Sequence, residues 1–147
     1  GTPTQNKMKH GIFNADNNWL SVWRKNSIRE GVNFWRKTAE QGLAKAQHNL
    51  GIKYQEGNGI PENDKEAVRW YMKAAEQGLA DAQAARGYAY EFGNGVIENY
   101  IQAYAWYNIA QANGDENAKE RKAIVAKEMT KEQIAEAQDL SPCKPLK

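Results

Sequence analysis

The sequence predicts an all-α protein built from stacked two-helix units. Three observations carry that expectation. A stretch of thirty-six residues is written twice without a gap, its apolar and small residues recur at three- and four-residue spacing, and a glycine-flanked turn splits each copy. Laid over Leu79–Gly114, the stretch Leu43–Gly78 matches at Ala46/Ala82, Gln47/Gln83, Gly51/Gly87, Tyr54/Tyr90, Gly57/Gly93, Asn63/Asn99, Ala67/Ala103, Trp70/Trp106, Tyr71/Tyr107 and Ala74/Ala110, among others. A fixed period of this length marks supersecondary units that bury their apolar faces by stacking on their neighbours.

The chain opens with a polar run, Thr2 to Lys9, that reads as a frayed lead-in. Gly1 in place of a starting methionine is compatible with trimming or with a removed signal peptide. Residues 11–42 form an atypical front end of N-terminal helices and a partial repeat. Trp19 and Trp23 stand four apart there, and Phe34 and Trp35 follow. Ser27 with Glu30 has capping-box spacing, so a helix is expected to begin at that point. The tryptophans are expected to plug the open face of the first unit. The competing reading makes them an apolar patch for a partner.

In the repeat at 43–78 the first helix is predicted from Ala44 to Glu56 and the second from Asp64 to Gln77. The repeat at 79–114 places them at Ala80 to Phe92 and Tyr100 to Asn113. The connectors read "GNGIPEN" and "GNGVIEN". Gly57 and Gly93 fall where a helix ends in the left-handed region, which glycine adopts at little cost. Ile60 and Val96 can fold back on the helix just ended, Pro61 blocks continuation, and Asn63 and Asn99 are N-caps with Glu66 and Gln102 at box spacing. A phosphate-cradling loop is excluded, because neither copy carries the third glycine of a dinucleotide fingerprint or the Gly-Lys-Ser/Thr of a P-loop, and no strand precedes either. Gly51 and Gly87 sit mid-helix, where glycine costs about 1 kcal/mol relative to alanine. Their recurrence predicts close helix approach, with Ala67, Ala74, Ala103 and Ala110 as small partners and Trp70, Tyr71, Trp106 and Tyr107 filling the gaps.

Residues 115–141 are expected to be capping helices and 142–147 a tail. Ala118, Ala123, Ile124 and Ala126 keep a weak first-helix pattern. In "MTKEQIAEAQDL", Thr130 and Gln133 form a capping box, Met129 and Ile134 a hydrophobic staple, and Ser141 with Pro142 ends the helix.

Composition narrows the function classes. Twenty Lys and Arg against eighteen Asp and Glu leave a dispersed net charge of +2, not the concentrated basic face that nucleic-acid binding needs. No run approaches the roughly 18 apolar residues of a membrane span. The single cysteine, Cys143, can form no internal disulfide and has no cysteine partner for a metal site. His10 and His48 show no spacing that implies cooperation, so neither catalysis, a cofactor nor a metal is expected.

The run "AKAQHNLGIKYQEGNGIPEND" followed by "AVRWYMKAAEQG" resembles the Sel-1-like repeat, a relative of the tetratricopeptide repeat. Residues 79–114 match as well but depart at Arg86, where the family usually has leucine, and "VNFWRKTAEQG" resembles the second helix of a further unit. The resemblance implies a right-handed α/α solenoid whose first helices line a concave surface. It implies a non-enzymatic scaffold or adaptor, a monomer, that binds another protein or peptide. Many bacterial members are exported, which points to a periplasmic or secreted setting. Some bacterial relatives neutralise toxins as immunity proteins, which gives a second reading. Cysteine-rich relatives have been proposed to bind or hydrolyse β-lactams, a third reading, although their paired cysteines are missing here.

If the units follow tetratricopeptide geometry, the concave positions of the first helices are Lys45, His48, Ile52, Gln55 and Glu56, then Asp81, Ala84, Tyr88, Glu91 and Phe92. Lys45, His48, Ile52, Asp81, Tyr88, Glu91 and Phe92 are the candidate partner-binding residues, with Ile52 alternatively contacting a neighbouring unit. Arg86 is expected either to pair internally with Glu91 or Glu120 or to reach a partner at the groove edge, since a guanidinium in place of a core leucine is costly unless paired or snorkelling.

Overall fold

The structure, a computed structural model, describes residues 19–141. These form seven α-helices: α1 Trp19–Glu40, α2 Ala44–Glu56, α3 Asp64–Glu76, α4 Ala80–Phe92, α5 Tyr100–Ala112, α6 Glu116–Ala126 and α7 Lys131–Leu140, with no strand among the described residues. Successive helices pack in chain order from α1 to α6, and α7 folds back onto α5. The result is an α/α solenoid of helical hairpins. The predicted bounds of α2 and α4 agree with the observed ones, and α3 and α5 end one residue earlier than expected.

Each connector works as its glycines suggest. Gly57 and Gly93 close α2 and α4 at φ 69° and 67°. Asn58 and Asn94 then donate back to the carbonyls of Lys53 and Ala89, the long bond of a glycine-terminated helix end. Asn63 and Asn99 cap the next helices through Glu66 N–H and Gln102 N–H, both at 3.1 Å. The reciprocal half of a capping box does not form there. The backbone N–H of Asn63 already donates to Tyr54 at 2.8 Å and that of Asn99 to Tyr90 at 2.9 Å, so Glu66 pairs with Arg69 instead. The second glycine of each connector allows a close approach that the sequence does not announce. A Cβ on Gly59 would strike Ile28 of α1, and one on Gly95 would strike the backbone of Asp64, thirty-six residues further on.

The mid-helix glycines also mark a close crossing: the Ala67 carbonyl lies near Gly51 as expected, but the nearest group in each unit is a tyrosine ring and not an alanine. A Cβ on Gly51 would lie 2.6 Å from Tyr71 Cε1, and one on Gly87 would lie 2.7 Å from Tyr107 Cδ1. A tyrosine ring lies against the bare helix backbone in each unit. Tyr107 is among the largest fully buried side chains of the chain. Trp70 and Trp106 are half-buried and pack toward the unit before them: Trp70 against Val32, Ala39, Ala46 and Leu50, Trp106 against Ala74, Ala75 and Ala82. Equivalent positions thus have equivalent surroundings. A polar ladder runs beside this core. The Gln47 amide donates to the Ala39 carbonyl at 3.2 Å and accepts from Gln77 at 2.8 Å, and Gln83 repeats both bonds with Ala75 and Asn113 at 3.1 and 2.8 Å. Each glutamine ties the end of one hairpin to its neighbours and leaves its buried amide satisfied.

The front end departs from expectation. No helix starts at Ser27: α1 runs unbroken for 22 residues through it, since no glycine or proline between Trp19 and Ser27 makes the chain leave the helix ahead of that cap position. Trp23 is 62% exposed and so does not plug the first unit, while Trp19 is described by its backbone alone. Phe34 stands thirty-six residues before Trp70 and is 61% exposed. No unit precedes α1 among the described residues, so this ring lacks the neighbour that Trp70 enters. Trp35, at the Tyr71 register, is half-buried beneath it at a ring distance of 5.4 Å.

The far end closes tightly. Thr130 and Gln133 form both halves of a capping box, and Met129 and Ile134 pack on the terminal core. In α6 Ala118 is buried and Ala126 is half-buried against the terminal core as the weak pattern expects, whereas Ala123 and Ile124 face outward and Val125 is buried in their place. Ser141 is buried, accepts from the Asn108 amide at 3.0 Å and donates to the Ala105 carbonyl at 3.4 Å. It locks α7 to α5. Cys143, Pro142, His10 and the Thr2–Lys9 run lie outside the described residues.

Gly87→Ala is expected to destabilise the chain by about 1–3 kcal/mol in urea unfolding, because overpacking against Tyr107 outweighs the gain in helix propensity. A neutral or stabilising effect would show that the crossing is not close.

A candidate partner-binding groove

The first helices α2, α4 and α6 face one open groove of about 350 Å³. His48, Ile52 and Gln55 line it from α2, Asp81, Ala84 and Tyr88 from α4, and Asn117 and Arg121 from α6, with Tyr71 and Tyr107 reaching it from the second helices. Six of the expected concave positions therefore meet on one surface. Tyr88 and Phe92 are one turn apart on α4, 43% and 48% exposed, and their ring centroids are 4.5 Å apart at 48°. They form an exposed aromatic step in which Tyr88 lines the groove and Phe92 stands beside it, outside the lining. Lys45 and Glu56 are exposed but do not line it.

Two candidates are corrected. Glu91 turns inward, is 8% exposed, accepts the Tyr107 hydroxyl at 2.8 Å and forms an ion pair with Arg121, with Arg121 Nε at 3.2 Å from the carboxylate. Gln55 does the same job in the unit before, accepting the Tyr71 hydroxyl at 2.6 Å. The twelfth residue of a first helix is thus an acceptor for its own unit's tyrosine, not a free contact. Arg86 makes no ion pair with Glu91 or Glu120. Its guanidinium carbon lies 4.1 Å from the centre of the Trp106 ring, and its buried Nε has no hydrogen-bond partner. It replaces Leu50 at the same register by stacking on the tryptophan that a leucine would touch, and Glu91 is already held by Arg121.

Asn117 is the Asp81 register carried one period on, and it was missed because the concave positions had not been extended into α6, where the connector that sets the register is absent. Ala118 and Arg121 stand at the registers of Ala82 and Ala85, between the expected concave positions, so the concave register would not have found Ala118 or Arg121. The Arg121 guanidinium also lies 5.4 Å from the Phe92 ring.

The electrostatics follow from burial. Burial pushes the Tyr71 phenol up, with Glu56 and Asp64 adding to it. Burial and then the bond to Glu91 do the same for Tyr107, so both stay protonated donors. The bond to Glu91 holds the Arg121 guanidinium in its charged form. His48 packs against Tyr71 with ring centroids 5.5 Å apart, and its burial lowers its pKa below the ordinary 6.5, partly opposed by Asp81. Among the described residues no cluster of three or more His, Cys, Asp or Glu could hold a metal, and no helix is long and apolar enough to cross a membrane.

The Sel1 repeat pattern matches residues 24–43, 44–79 and 80–115. The chain belongs to the Sel1 repeat family. The first matched segment falls on α1, so the partial unit expected there is one the family pattern also meets. No curated protein matches the sequence. Among solved structures, a protective antigen present in uropathogenic Escherichia coli strains, which displays an SLR fold, is 38% identical with a TM-score of 0.75, over 77% of this chain and 24% of that one. A Sel1 repeat protein from Oxalobacter formigenes is 35% identical with a TM-score of 0.64, over 81% of this chain and 54% of that one. This Sel1 chain thus spans between about a quarter and about half of these relatives. Sel1 repeat proteins generally act as protein-interaction scaffolds and are typically non-catalytic.

Two measurements check the groove's chemistry. In a proton NMR titration the His48 ring, assigned with His48→Gln, is expected to titrate below 6.5. Its lowered folded pKa means that its stability contribution is whole above 6.5 and is lost as pH falls through that value, so less urea should unfold the chain at pH 5 than at pH 7, by a margin that His48→Gln reduces. Glu91→Ala strands Tyr107 and Arg121 and is expected to cost about 1–3 kcal/mol in the same assay. A cost near zero would show that the pair contributes nothing to folding.

Proposed function

We propose that this Sel1 chain is a non-enzymatic scaffold or adaptor that holds an extended segment of a partner protein along the α2–α4–α6 groove, with Tyr88 and Phe92 as anchors. The observation that carries this reading is the exposure of those two rings. Tyr71 and Tyr107 are buried against glycine, and Trp70 and Trp106 are seated on the preceding unit, yet the rings of Tyr88 and Phe92 touch each other with nearly half of each residue in solvent. Rigid aromatic side chains that are half-exposed beside polar groups are the usual anchors of a recognition surface, since covering them gains apolar area at small cost in side-chain order.

The shape agrees with such a partner. The groove is open and extends across three first helices, so a strand-like segment can lie across it, whereas it offers no enclosed cavity for a small substrate. Its rim supplies Asp81 and Asn117 for backbone or side-chain hydrogen bonds.

A random-peptide display library panned on the full chain provides the test. Selected peptides are expected to bind the Tyr88→Ala/Phe92→Ala double variant at least tenfold more weakly in fluorescence polarisation, with the melting temperature nearly unchanged because neither ring is part of the core. Peptides that bind the double variant as well as the parent would remove this groove from the function.

A further inference from the structure

We infer that the segment this groove accepts is basic as well as apolar: a lysine or arginine next to an aliphatic or aromatic side chain. The inference rests on the peptide-binding reading above and adds the charge of the ligand to it.

The charges lining the groove decide the sign. Asp81 of α4 is exposed and lines it, and Asp115, just before α6, lines it as well. The only cation among the lining residues is Arg121, and Glu91 neutralises it from below through the ion pair and the hydrogen bond at 3.2 Å. His48 is the only lining group that could become a second cation, and its burial against Tyr71 favours the neutral ring. The hydroxyls of Tyr71 and Tyr107 are already donated to Gln55 and Glu91, so they offer no proton to an incoming carboxylate. Lys45, on the same helix as His48, does not line the groove.

Two carboxylates therefore stand without a counter-charge in the groove lining. Asp115 accepts the Ala118 N–H at 3.0 Å as the cap of α6, and Asp81 lies in the first turn of α4. Each helix end offers about half a positive charge, which reduces these two negative charges without cancelling them. An acidic ligand segment would meet repulsion from both and find no free donor cation. A basic one can place its ammonium or guanidinium at Asp81 while its apolar neighbour covers Ile52, Ala84 and Tyr88. The Tyr88 face adds a cation–π surface of the same preference.

The test uses the same library, panned on the full chain, with sequence content as the first readout. Enriched peptides are expected to place Lys or Arg next to an aromatic or aliphatic residue. The best of them should bind Asp81→Asn at least fivefold more weakly, and Asp81→Lys should shift the enrichment towards Asp and Glu. Circular dichroism melting of both variants controls for folding. Peptides that depend on Tyr88 and Phe92 but show no basic preference, or that bind Asp81→Asn like the parent, would overturn the inference and leave the groove standing. No enrichment, or binding indifferent to Tyr88 and Phe92, would overturn both.

Discussion

The contact between a tyrosine ring and a bare stretch of helix, Tyr71 on Gly51 and Tyr107 on Gly87, sets the geometry from which the rest of the array follows. With a Cβ at either glycine the ring could not lie where it does, and the two helices of the unit would stand further apart. Because the ring crosses at that height, its hydroxyl comes out at the twelfth residue of the first helix, where Gln55 or Glu91 accepts it. The tyrosine thus acts twice: its ring closes the hairpin, and its hydroxyl fixes the polar floor of the groove. Mid-helix glycine costs about 1 kcal/mol in propensity, and burial of an aromatic ring with a satisfied hydroxyl more than offsets it.

Stacking of one unit on the next uses different residues. Trp70 and Trp106 lean back on the preceding hairpin, the second glycine of each connector lets its loop touch the preceding second helix, and Gln47 and Gln83 each join the end of the preceding hairpin to the end of their own through their amides. Apart from the Gln77 and Asn113 bonds, which stay within one unit, these contacts point towards the N-terminal neighbour. That direction explains why the two ends of the described chain look unlike. At the C-terminal end α7 and Ser141 cover the last second helix, while at α1 the equivalent ring, Phe34, stays largely in solvent.

The periodic part of this architecture was legible in the sequence, and the reason is physical. Helix bounds, turn glycines and asparagine caps are set by local chemistry, which identical residues reproduce at each copy. Partners across space were harder. The alanines proposed opposite Gly51 and Gly87 were plausible by size, and the Ala67 carbonyl does lie near Gly51, but an aromatic ring fits a glycine gap as well as a methyl group does, and nothing in the spacing separates the two. Ser27 and Glu30 carried the letters of a cap, yet a cap needs the chain before it to leave the helix, and no glycine or proline forces that. Within the groove the concave register placed His48, Ile52, Gln55, Asp81, Ala84 and Tyr88 together. It misplaced Glu91, because the twelfth position faces the tyrosine hydroxyl, a contact only the packing reveals.

Three departures from strict repetition change the charge of buried or half-buried positions. Gln55 becomes Glu91, Ala85 becomes Arg121 and Leu50 becomes Arg86 at equivalent registers. The first two changes are coupled: a carboxylate buried at 8% exposure needs a counter-charge, and Arg121 supplies it from the next helix. An ion pair in that place ties α4 to α6 in a way that a neutral glutamine could not. It leaves the floor of the groove uncharged overall while the rim keeps Asp81. Arg86 is a separate substitution on another face, supported by the Trp106 ring. A buried ion pair beside an exposed aromatic step does more than the neutral Gln55–Tyr71 bond of the unit before. The pair holds Arg121 against Phe92, and through it the position of the Tyr88–Phe92 surface is tied to the third unit of the array.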